Sequence, residues 1–147
     1  MKFCFSLARV LKIKGIWEEQ AKLKLAAAVI TREQEEKLFA EKVTVRNQAF
    51  FRLNEAGLKR GQTIAQQYML ANWAKQDCQQ QAVRVKEAHR NFSRAQQDFL
   101  QRRADRQVLT KLEQKKWAEY IQEKERKDRV QLDEVASLAY LKRQGGA

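Results

Sequence analysis

The side chains that could perform catalysis are few and isolated in this sequence. His89 is the only histidine, and its neighbours Ala88 and Arg90 are ordinary helix residues. Cys4 and Cys78 form neither a CxxC pair nor a Cys/His spacing typical of zinc sites or of a disulfide framework. We therefore expect a solvated surface histidine and two reduced thiols. We expect no enzyme activity, and we identify no catalytic residue, metal site or cofactor site.

One glycine-containing segment has a faint likeness to a phosphate-binding loop. Residues 57–63 read GLKRGQT, but the spacing of the two glycines is one residue short. Gln62 also stands where such a loop has the lysine that reaches the phosphates. A turn between two helices explains both glycines better, because glycine readily ends a helix.

Positive charge is the strongest electrostatic feature of the chain. Thirty Lys and Arg residues against 18 Asp and Glu residues give a net charge of +12. Basic residues are concentrated along the second half of the chain at Arg84, Lys86, Arg90, Arg94, Arg102, Arg103 and Arg106. Such a helix can bind nucleic acid through counterion release or dock on an acidic protein surface. No base-reading motif accompanies the charge, so a basic nucleic-acid-binding coiled coil and a generic scaffold rod both stay open as alternatives.

The composition predicts long helices. Ala, Glu, Leu, Lys and Arg make up about half of the 147 residues, and proline is absent. Gly57 and Gly61 mark the only convincing interior break. We predict an all-α fold, a long two-helix antiparallel coiled-coil hairpin in one domain over 1–147. Helix one covers about 3–56, the turn about 57–62, helix two about 63–143, and a frayed tail 144–147.

Heptad patterns predict which helix faces meet. In helix two, apolar residues recur every seven positions, with alanines three residues later, as a and d positions require. This series comprises Ile64, Ala71, Cys78, Val85, Phe92 and Phe99 with Ala74, Ala88 and Ala95, interrupted by Gln67, Gln81, Arg102 and Arg106. In helix one the predicted stripe runs through Ile16, Leu23, Ala27 and Ile30, then drifts through Gln34, Leu38, Val45, Ala49, Leu53 and Ala56.

The short turn makes the two helices antiparallel neighbours, with residue i facing roughly residue 120 − i. Phe3 and Phe5 should then meet the region of Trp117. Helix two is longer than helix one, so residues after about 118 should project as a single helix, which we call the overhang. An apolar strip lies on it at Leu132, Val135, Ala136 and Ala139. A strip with no internal partner suggests a partner protein.

Aromatic residues gather near the predicted turn. Phe50, Phe51, Tyr68 and Trp73 all lie within about a dozen residues of it. Two interpretations stay open. The rings fill a widened interface between the helices, or they are left outside and form a contact patch, because aromatic residues are favoured anchors at interfaces.

The N-terminal string FSLARVLKIKGIWEEQA resembles the start of the FliJ family of flagellar type III export proteins. That family typically opens with an F-x-L-x-RVL-x-(I/L)-(K/R) core followed by EEQA. The residues that match are Phe5, Leu7, Arg9, Val10, Leu11, Ile13 and Lys14, then Glu18, Glu19, Gln20 and Ala21. Residues 131–136, QLDEVA, are similar to the family's C-terminal (K/Q)-LDE-x-A segment.

The resemblance implies a non-enzymatic coiled coil of the flagellar export apparatus. Such a protein binds the centre of the hexameric export ATPase FliI and promotes its assembly and activity. It also links the ATPase to the export gate protein FlhA and handles export chaperones. The implied location is cytoplasmic, peripherally associated with the cytoplasmic face of the inner membrane at the flagellar base, with no specific nucleic acid as a partner.

The resemblance also directs attention to two sets of residues. From position and charge, the expected ATPase-binding residues are Arg9, Lys12, Lys14, Lys124, Arg126 and Arg129. The family's gate-binding surface lies on both helices near the turn, and the nearest candidates are Phe50, Phe51, Tyr68 and Trp73.

Overall fold

The computed structural model describes residues 2–56 and 61–146 of the chain. They form two long α-helices, α1 (Ala8–Ala56) and α2 (Gly61–Gln144), and the described ranges contain no strand. The helices pack against each other, so the prediction of an all-α helical hairpin is confirmed. The predicted turn falls largely on residues 57–60, which lie outside the described residues.

The start of α1 differs from the prediction. Residues 2–7 are not helical, and α1 begins at Ala8 instead of near Phe3. Phe5 is buried and Phe3 half-buried, whereas Cys4 between them is exposed. This period of two is the pattern of an extended segment, and burying both rings competes with continuing the helix. The amide of Ala8 then donates to the carbonyl of Phe5 at 3.1 Å, which closes the turn into α1.

The bounds of α2 are close to the predicted ones. It begins at Gly61, two residues before the predicted start, and ends at Gln144. Lys142 and Arg143 occupy its last turn, where cations interact favourably with the negative end of the helix dipole. Gly145 donates its amide to the carbonyl of Leu141 at 2.9 Å, so the described tail continues as a turn.

Contacts divide the chain into two compact units. The terminal unit comprises Met1–Ile16 and Arg103–Ala147, and the central unit comprises Trp17–Arg102. Each unit contains a segment of α1 and a segment of α2. That the whole chain forms one domain stays a prediction.

The heptad face predicted for α2 is confirmed in the central unit. Ala71, Ala74, Cys78, Gln81 and Ala88 are buried there. The remaining positions of the series in this unit are half-buried, at Ile64, Gln67, Val85, Phe92, Ala95, Phe99 and Arg102. Alanine at most of the fully buried positions allows the two backbones to approach closely, at the cost of a thin apolar core.

The stripe predicted for the first half of α1 is wrong. Leu23 and Ile30 are 69% and 55% exposed, and Ile16 and Ala27 are exposed as well. Farther along α1, Gln34, Leu38 and Val45 are exposed too, whereas Ala49, Leu53 and Ala56 lie on the covered face as predicted. In the central unit the covered face follows a regular heptad spacing at Ala21, Leu25, Ala28, Arg32, Glu35, Phe39, Lys42, Arg46, Ala49, Leu53 and Ala56.

Interactions with α2 explain why α1 buries charged positions. The Arg32 guanidinium lies 4.2 Å from the centre of the Phe92 ring. Lys42 Nζ lies 2.9 Å from Asp77 Oδ1. Side chains of this kind pack with their aliphatic stems while their charged ends find partners. These specific contacts outweigh the apolar pattern of α1, which is why the pattern alone indicated the wrong face.

The predicted antiparallel register is confirmed within each unit. If residue i faces residue 120 − i, the numbers of two facing residues add up to about 120. In the central unit, Lys42 pairs with Asp77, and Arg102 lies over the Trp17 ring at 5.1 Å; each pair of residue numbers adds up to 119. In the terminal unit, Lys14 Nζ lies 3.1 Å from Asp105 Oδ2, again with a sum of 119. All three pairs agree with residue i facing about 120 − i.

Candidate interaction surfaces

An aromatic cluster anchors the N-terminal segment in the terminal unit. The Phe3 ring meets Trp117 edge-on at 5.0 Å between centroids and lies 5.5 Å from Tyr120. Trp117 and Tyr120 are 5.7 Å apart. The predicted meeting of Phe3 with the Trp117 region is thus confirmed, but sequence reasoning missed Tyr120. Its spacing of three from Trp117, which puts both rings on one face of a helix, was the available signal.

The basic residues at the start of α1 differ in how free they are. Arg9 and Lys12 are exposed, and no ion pair involving them is found among the described residues. Lys14 is half-buried, and its ammonium group is paired with Asp105 at 3.1 Å. Arg9 and Lys12 can therefore meet a partner directly, whereas the charge of Lys14 already has a partner within the chain.

The overhang of α2 begins slightly later than predicted. Tyr120 contacts Phe3, and Ile121 is half-buried. From residue 122 to residue 146 every described side chain is exposed. We define the overhang from here on as residues 122–146.

Ion pairs along the helix support the overhang. Glu123 accepts two hydrogen bonds from Arg126, at 2.9 and 3.0 Å, and Lys127 lies 3.7 Å away. The hydrogen bonds from Arg126 lower the pKa of the Glu123 carboxyl, and the charges of Arg126 and Lys127 lower it further. The carboxylate likewise raises the pKa of Arg126. Lys124 and Arg129, by contrast, are exposed and have no ion pair with a described residue.

Apolar side chains of the overhang are exposed as predicted. Leu132, Val135, Ala136 and Ala139 all lie open to solvent. Sequence analysis missed that Val130, Leu138, Tyr140 and Leu141 add exposed apolar surface to the same segment. Scattered exposed apolar residues are common in proteins, but so many on one 25-residue helix segment indicate an interaction surface.

The four aromatic residues near the turn are all exposed. Phe50, Phe51, Tyr68 and Trp73 lie outside the buried face, which decides between the two interpretations in favour of outward-facing rings. They do not share one face, because Tyr68 and Trp73 are five residues apart and so about 140° apart around the helix.

Two neighbours that sequence analysis missed enlarge the exposed surface around Trp73. Met69 and Leu70 are exposed, and they precede Trp73 by four and three residues. Residues at these spacings lie side by side on a helix. The run YML before Trp73 was the available signal, since Met69 and Leu70 lie one helical turn before the ring.

The basic residues of α2 divide into two groups. Arg84, Lys86, Arg90 and Arg94 are exposed in the central unit. Arg102 is half-buried over the Trp17 ring and lies 3.4 Å from Asp98. The terminal unit has a similar division, with Arg103 exposed and Arg106 half-buried. The charge concentration seen in the sequence thus serves partly to hold α1 and α2 together.

A polar pair occupies the middle of the central unit. The Gln81 side chain is fully buried, and its amide nitrogen donates to the backbone carbonyl of Glu35 at 3.2 Å and to the Glu35 carboxylate. The Gln81 carbonyl oxygen has no partner among the described residues. Close by in sequence, His89 Nε2 lies 2.7 Å from the Glu36 carboxylate. His89 is exposed, as expected, and its side chain also links α2 to Glu36 of α1.

The described residues provide neither a metal-binding cluster nor a membrane-spanning helix. Within the ranges 2–56 and 61–146, no three His, Cys, Asp or Glu side chains are grouped so that they could hold a metal ion. Neither helix has a described stretch that is both long and apolar enough to cross a membrane. Both cysteines are free, with Cys4 exposed and Cys78 buried.

Comparison with known proteins identifies the family. A family model described as Flagellar FliJ protein matches residues 1–145, which is almost the whole chain. The chain belongs to the FliJ family. It is thus a component of the flagellar export apparatus, and the family is non-catalytic. No curated protein and no solved structure matches the chain significantly.

The structure gives physical meaning to the N-terminal motif of this FliJ-family chain. Phe5 is buried, and Leu7 and Leu11 are half-buried, so these apolar motif residues hold the start of α1 against α2. Arg9 of the same motif is exposed. The motif therefore combines an apolar anchor with an outward-facing cation.

Proposed function

We propose that this FliJ-family chain binds the centre of the hexameric export ATPase FliI, promotes its assembly and activity, and couples it to the export gate protein FlhA and to export chaperones. The observation that carries the proposal is the overhang, residues 122–146, which is exposed on every side. A lone helix of this length needs a partner surface to be stable. The central opening of a ring would cover such a helix from all sides.

Charge supports assigning the ATPase to the terminal unit. Residues 1–16 carry four cations and no acid, and residues 103–147 carry eleven cations against eight acids. All six proposed ATPase-binding residues belong to this unit. Among them, Arg9, Lys12, Lys124 and Arg129 have the freest charges and should contribute most. Lys14 and Arg126 are already paired with Asp105 and Glu123, so they should contribute mainly by stabilising the local structure around the binding surface.

The export gate is assigned to the exposed aromatic residues of the central unit. Phe50, Phe51, Tyr68 and Trp73 offer large apolar side chains to solvent on both helices, close to the turn. Buried aromatic anchors dominate the energetics of many interfaces. Gate binding would place this chain at the cytoplasmic face of the inner membrane as a peripheral component. We assign export chaperones as further partners on the family resemblance and name no residues for them.

ATP hydrolysis by the export ATPase of the same organism tests the proposal. We expect saturable stimulation by the wild-type chain, with hexamers appearing in parallel. Reversal of four exposed cations, in the variant R9E/K12E/K124E/R129E, should abolish stimulation while helicity is kept. The matched control reverses four exposed cations of the central unit, in R84E/K86E/R90E/R94E, and should stimulate normally. Equal loss of ATPase stimulation in both variants would show that stimulation depends only on net charge. That result would refute the assignment of ATPase binding to the terminal unit.

One observation favours a second function, nucleic-acid binding. Lys86, Arg90 and Arg94 follow one another at intervals of four along the exposed side of α2, and no ion pair with a described residue engages them. Phosphates would bind such a row with an affinity that falls linearly in a log–log salt plot. DNA binding that persists at physiological salt and is lost in K86E/R90E/R94E would favour this function over the export role.

A further inference from the structure

The outward face of α1 in the central unit carries apolar residues at heptad spacing, as its covered face does. Gln20, Leu23, Ala27, Ile30 and Gln34 are all exposed and follow the alternating spacing of three and four that coiled coils use. We call these five residues the outer strip. Beside this strip, the covered face of the same helix carries Ala21, Leu25 and Ala28, followed by Arg32 and Glu35. A second heptad pattern on the outside of a helix indicates that another helix packs there.

We propose that the outer strip binds the outer strip of a second copy of this chain, forming a short parallel coiled coil. The two Leu23 side chains would meet each other, as would the two Ile30 side chains. In an antiparallel pairing, a positions face d positions, so Leu23 and Ile30 would face Ala27 or a glutamine of the strip instead. The distribution of large side chains thus favours the parallel arrangement.

The charged residues that flank the strip agree with a second copy as its occupant. Glu19 immediately precedes Gln20, and Lys24 immediately follows Leu23. In a parallel coiled coil, the residue just before an a position of one helix meets the residue just after the following d position of the other helix. Glu19 of one copy would therefore meet Lys24 of the other, which is five residues further along the chain. Two Glu19–Lys24 pairs would form by symmetry. The antiparallel pairing that sets Leu23 against Ala27 would bring Glu19 close to Glu33 of the other copy.

The flanking side chains are available for this role. Lys24 is exposed, and no ion pair with a described residue involves it. Glu19 has only a loose contact with Lys22 on its own helix, at 3.9 Å between two well-exposed side chains. Gln20 and Gln34 bound the apolar centre of the strip, and a polar residue at an a position is a known means of setting the register of a coiled coil.

Sedimentation of the full-length chain over a concentration series tests this inference, which does not rest on the proposed export role. We expect the mass to rise with concentration from 17.3 kDa to twice that value. The variant L23Q/I30Q should weaken association at least tenfold with unchanged helicity, because both residues are on the surface. The matched control is L132Q/V135Q, which alters equally exposed residues of the overhang and should associate like the wild type.

Charge reversal distinguishes the parallel pairing from any other use of the strip. E19K and K24E should each weaken association, and E19K/K24E should restore it, because the double variant re-forms both pairs with the charges exchanged. A chain that stays monomeric at every concentration would overturn the inference. Association lost in L132Q/V135Q but kept in L23Q/I30Q would also overturn it, since the overhang would then be the interface. A monomer that binds an export protein through Leu23 and Ile30 would assign the strip to a different occupant.

Discussion

Replacing Gln81 with leucine should stabilise this protein. The Gln81 side chain is fully buried, yet one of its two polar atoms, the carbonyl oxygen, has no partner among the described residues. The amide cannot be turned round to correct this, because its nitrogen faces two acceptors, the backbone carbonyl and the carboxylate of Glu35. The structure therefore holds a desolvated acceptor at the centre of the interface between the helices.

The size of the effect follows from three contributions. Removing a buried acceptor without a partner recovers about 1–3 kcal/mol of desolvation free energy. Burying a leucine side chain contributes about 1.5–3 kcal/mol relative to leaving it exposed. Two hydrogen bonds to Glu35 are lost, the one to the backbone carbonyl at about 0.5–1.5 kcal/mol and the one to the charged carboxylate at about 1.5–3 kcal/mol. Glu35 is half-buried, so its carboxylate can reach water instead. We expect a net gain of about 1 kcal/mol in the free energy of unfolding.

Urea unfolding followed by far-UV circular dichroism measures this change as a shift in midpoint at constant slope. Gln67→Leu is the matched control. Gln67 occupies an equivalent heptad position but is only half-buried, so the gain should be smaller. Gln81→Ala should lower stability, because it leaves a cavity. If Q81L were less stable than the wild type by about 1 kcal/mol or more, the reasoning would be refuted. The Gln81 carbonyl would then have a hydrogen-bond partner in solution.

Three further predictions concern the two units. Arg126 lowers the pKa of the Glu123 carboxyl, so the stabilisation of the overhang by this ion pair should be complete above the ordinary pKa of 4.5 and lost as the pH falls through the lowered pKa. Helicity measured by circular dichroism should show this loss at acid pH in the wild type and a smaller loss in Glu123→Gln. Phe3→Ala removes an edge-on contact with Trp117 at 5.0 Å, which is worth about 0.5–1.5 kcal/mol. Exchange of the Ala8 and Leu11 amides, which donate to Phe5 and Leu7, should therefore speed up several-fold while the central unit is unaffected. Trp73→Ala should weaken binding to the soluble domain of FlhA in a titration without changing the unfolding midpoint, and unchanged binding would remove Trp73 from the proposed gate surface.

The sequence predicted α2 better than α1, for a physical reason. Along α2 the buried positions other than Gln81 are alanines and a cysteine, so periodicity and burial agree, as at Ala71, Ala74 and Cys78. Along α1, by contrast, large apolar residues such as Leu23 and Ile30 lie outside, and charged residues such as Lys42, which pairs with Asp77, share the covered face with apolar ones. Periodicity reports where apolar residues lie, and it cannot report which charged residues will find partners across an interface.

The candidate surfaces were predictable to different degrees. The overhang follows from the helix lengths, whereas the outward position of the aromatic residues near the turn was one of two interpretations that the sequence left open. The separation of cations into free and paired ones does not follow from the sequence. Arg9 and Lys14 look alike in sequence, but only the packing of α1 against α2 brings Lys14 to Asp105. The non-helical residues 2–7 were missed because the aromatic cluster that holds Phe3 is built from residues more than 100 positions away.

Site-specific photo-crosslinking tests the central claim most directly. A photoreactive residue would replace Leu132 in the overhang or, in a second variant, Met69 beside Trp73; both side chains are exposed. Each variant would be irradiated with the export ATPase and the soluble domain of FlhA of the same organism. We predict that position 132 crosslinks to the ATPase and position 69 to FlhA. Crosslinking of the ATPase at position 69 and not at position 132 would contradict the proposal that the overhang enters the ATPase ring.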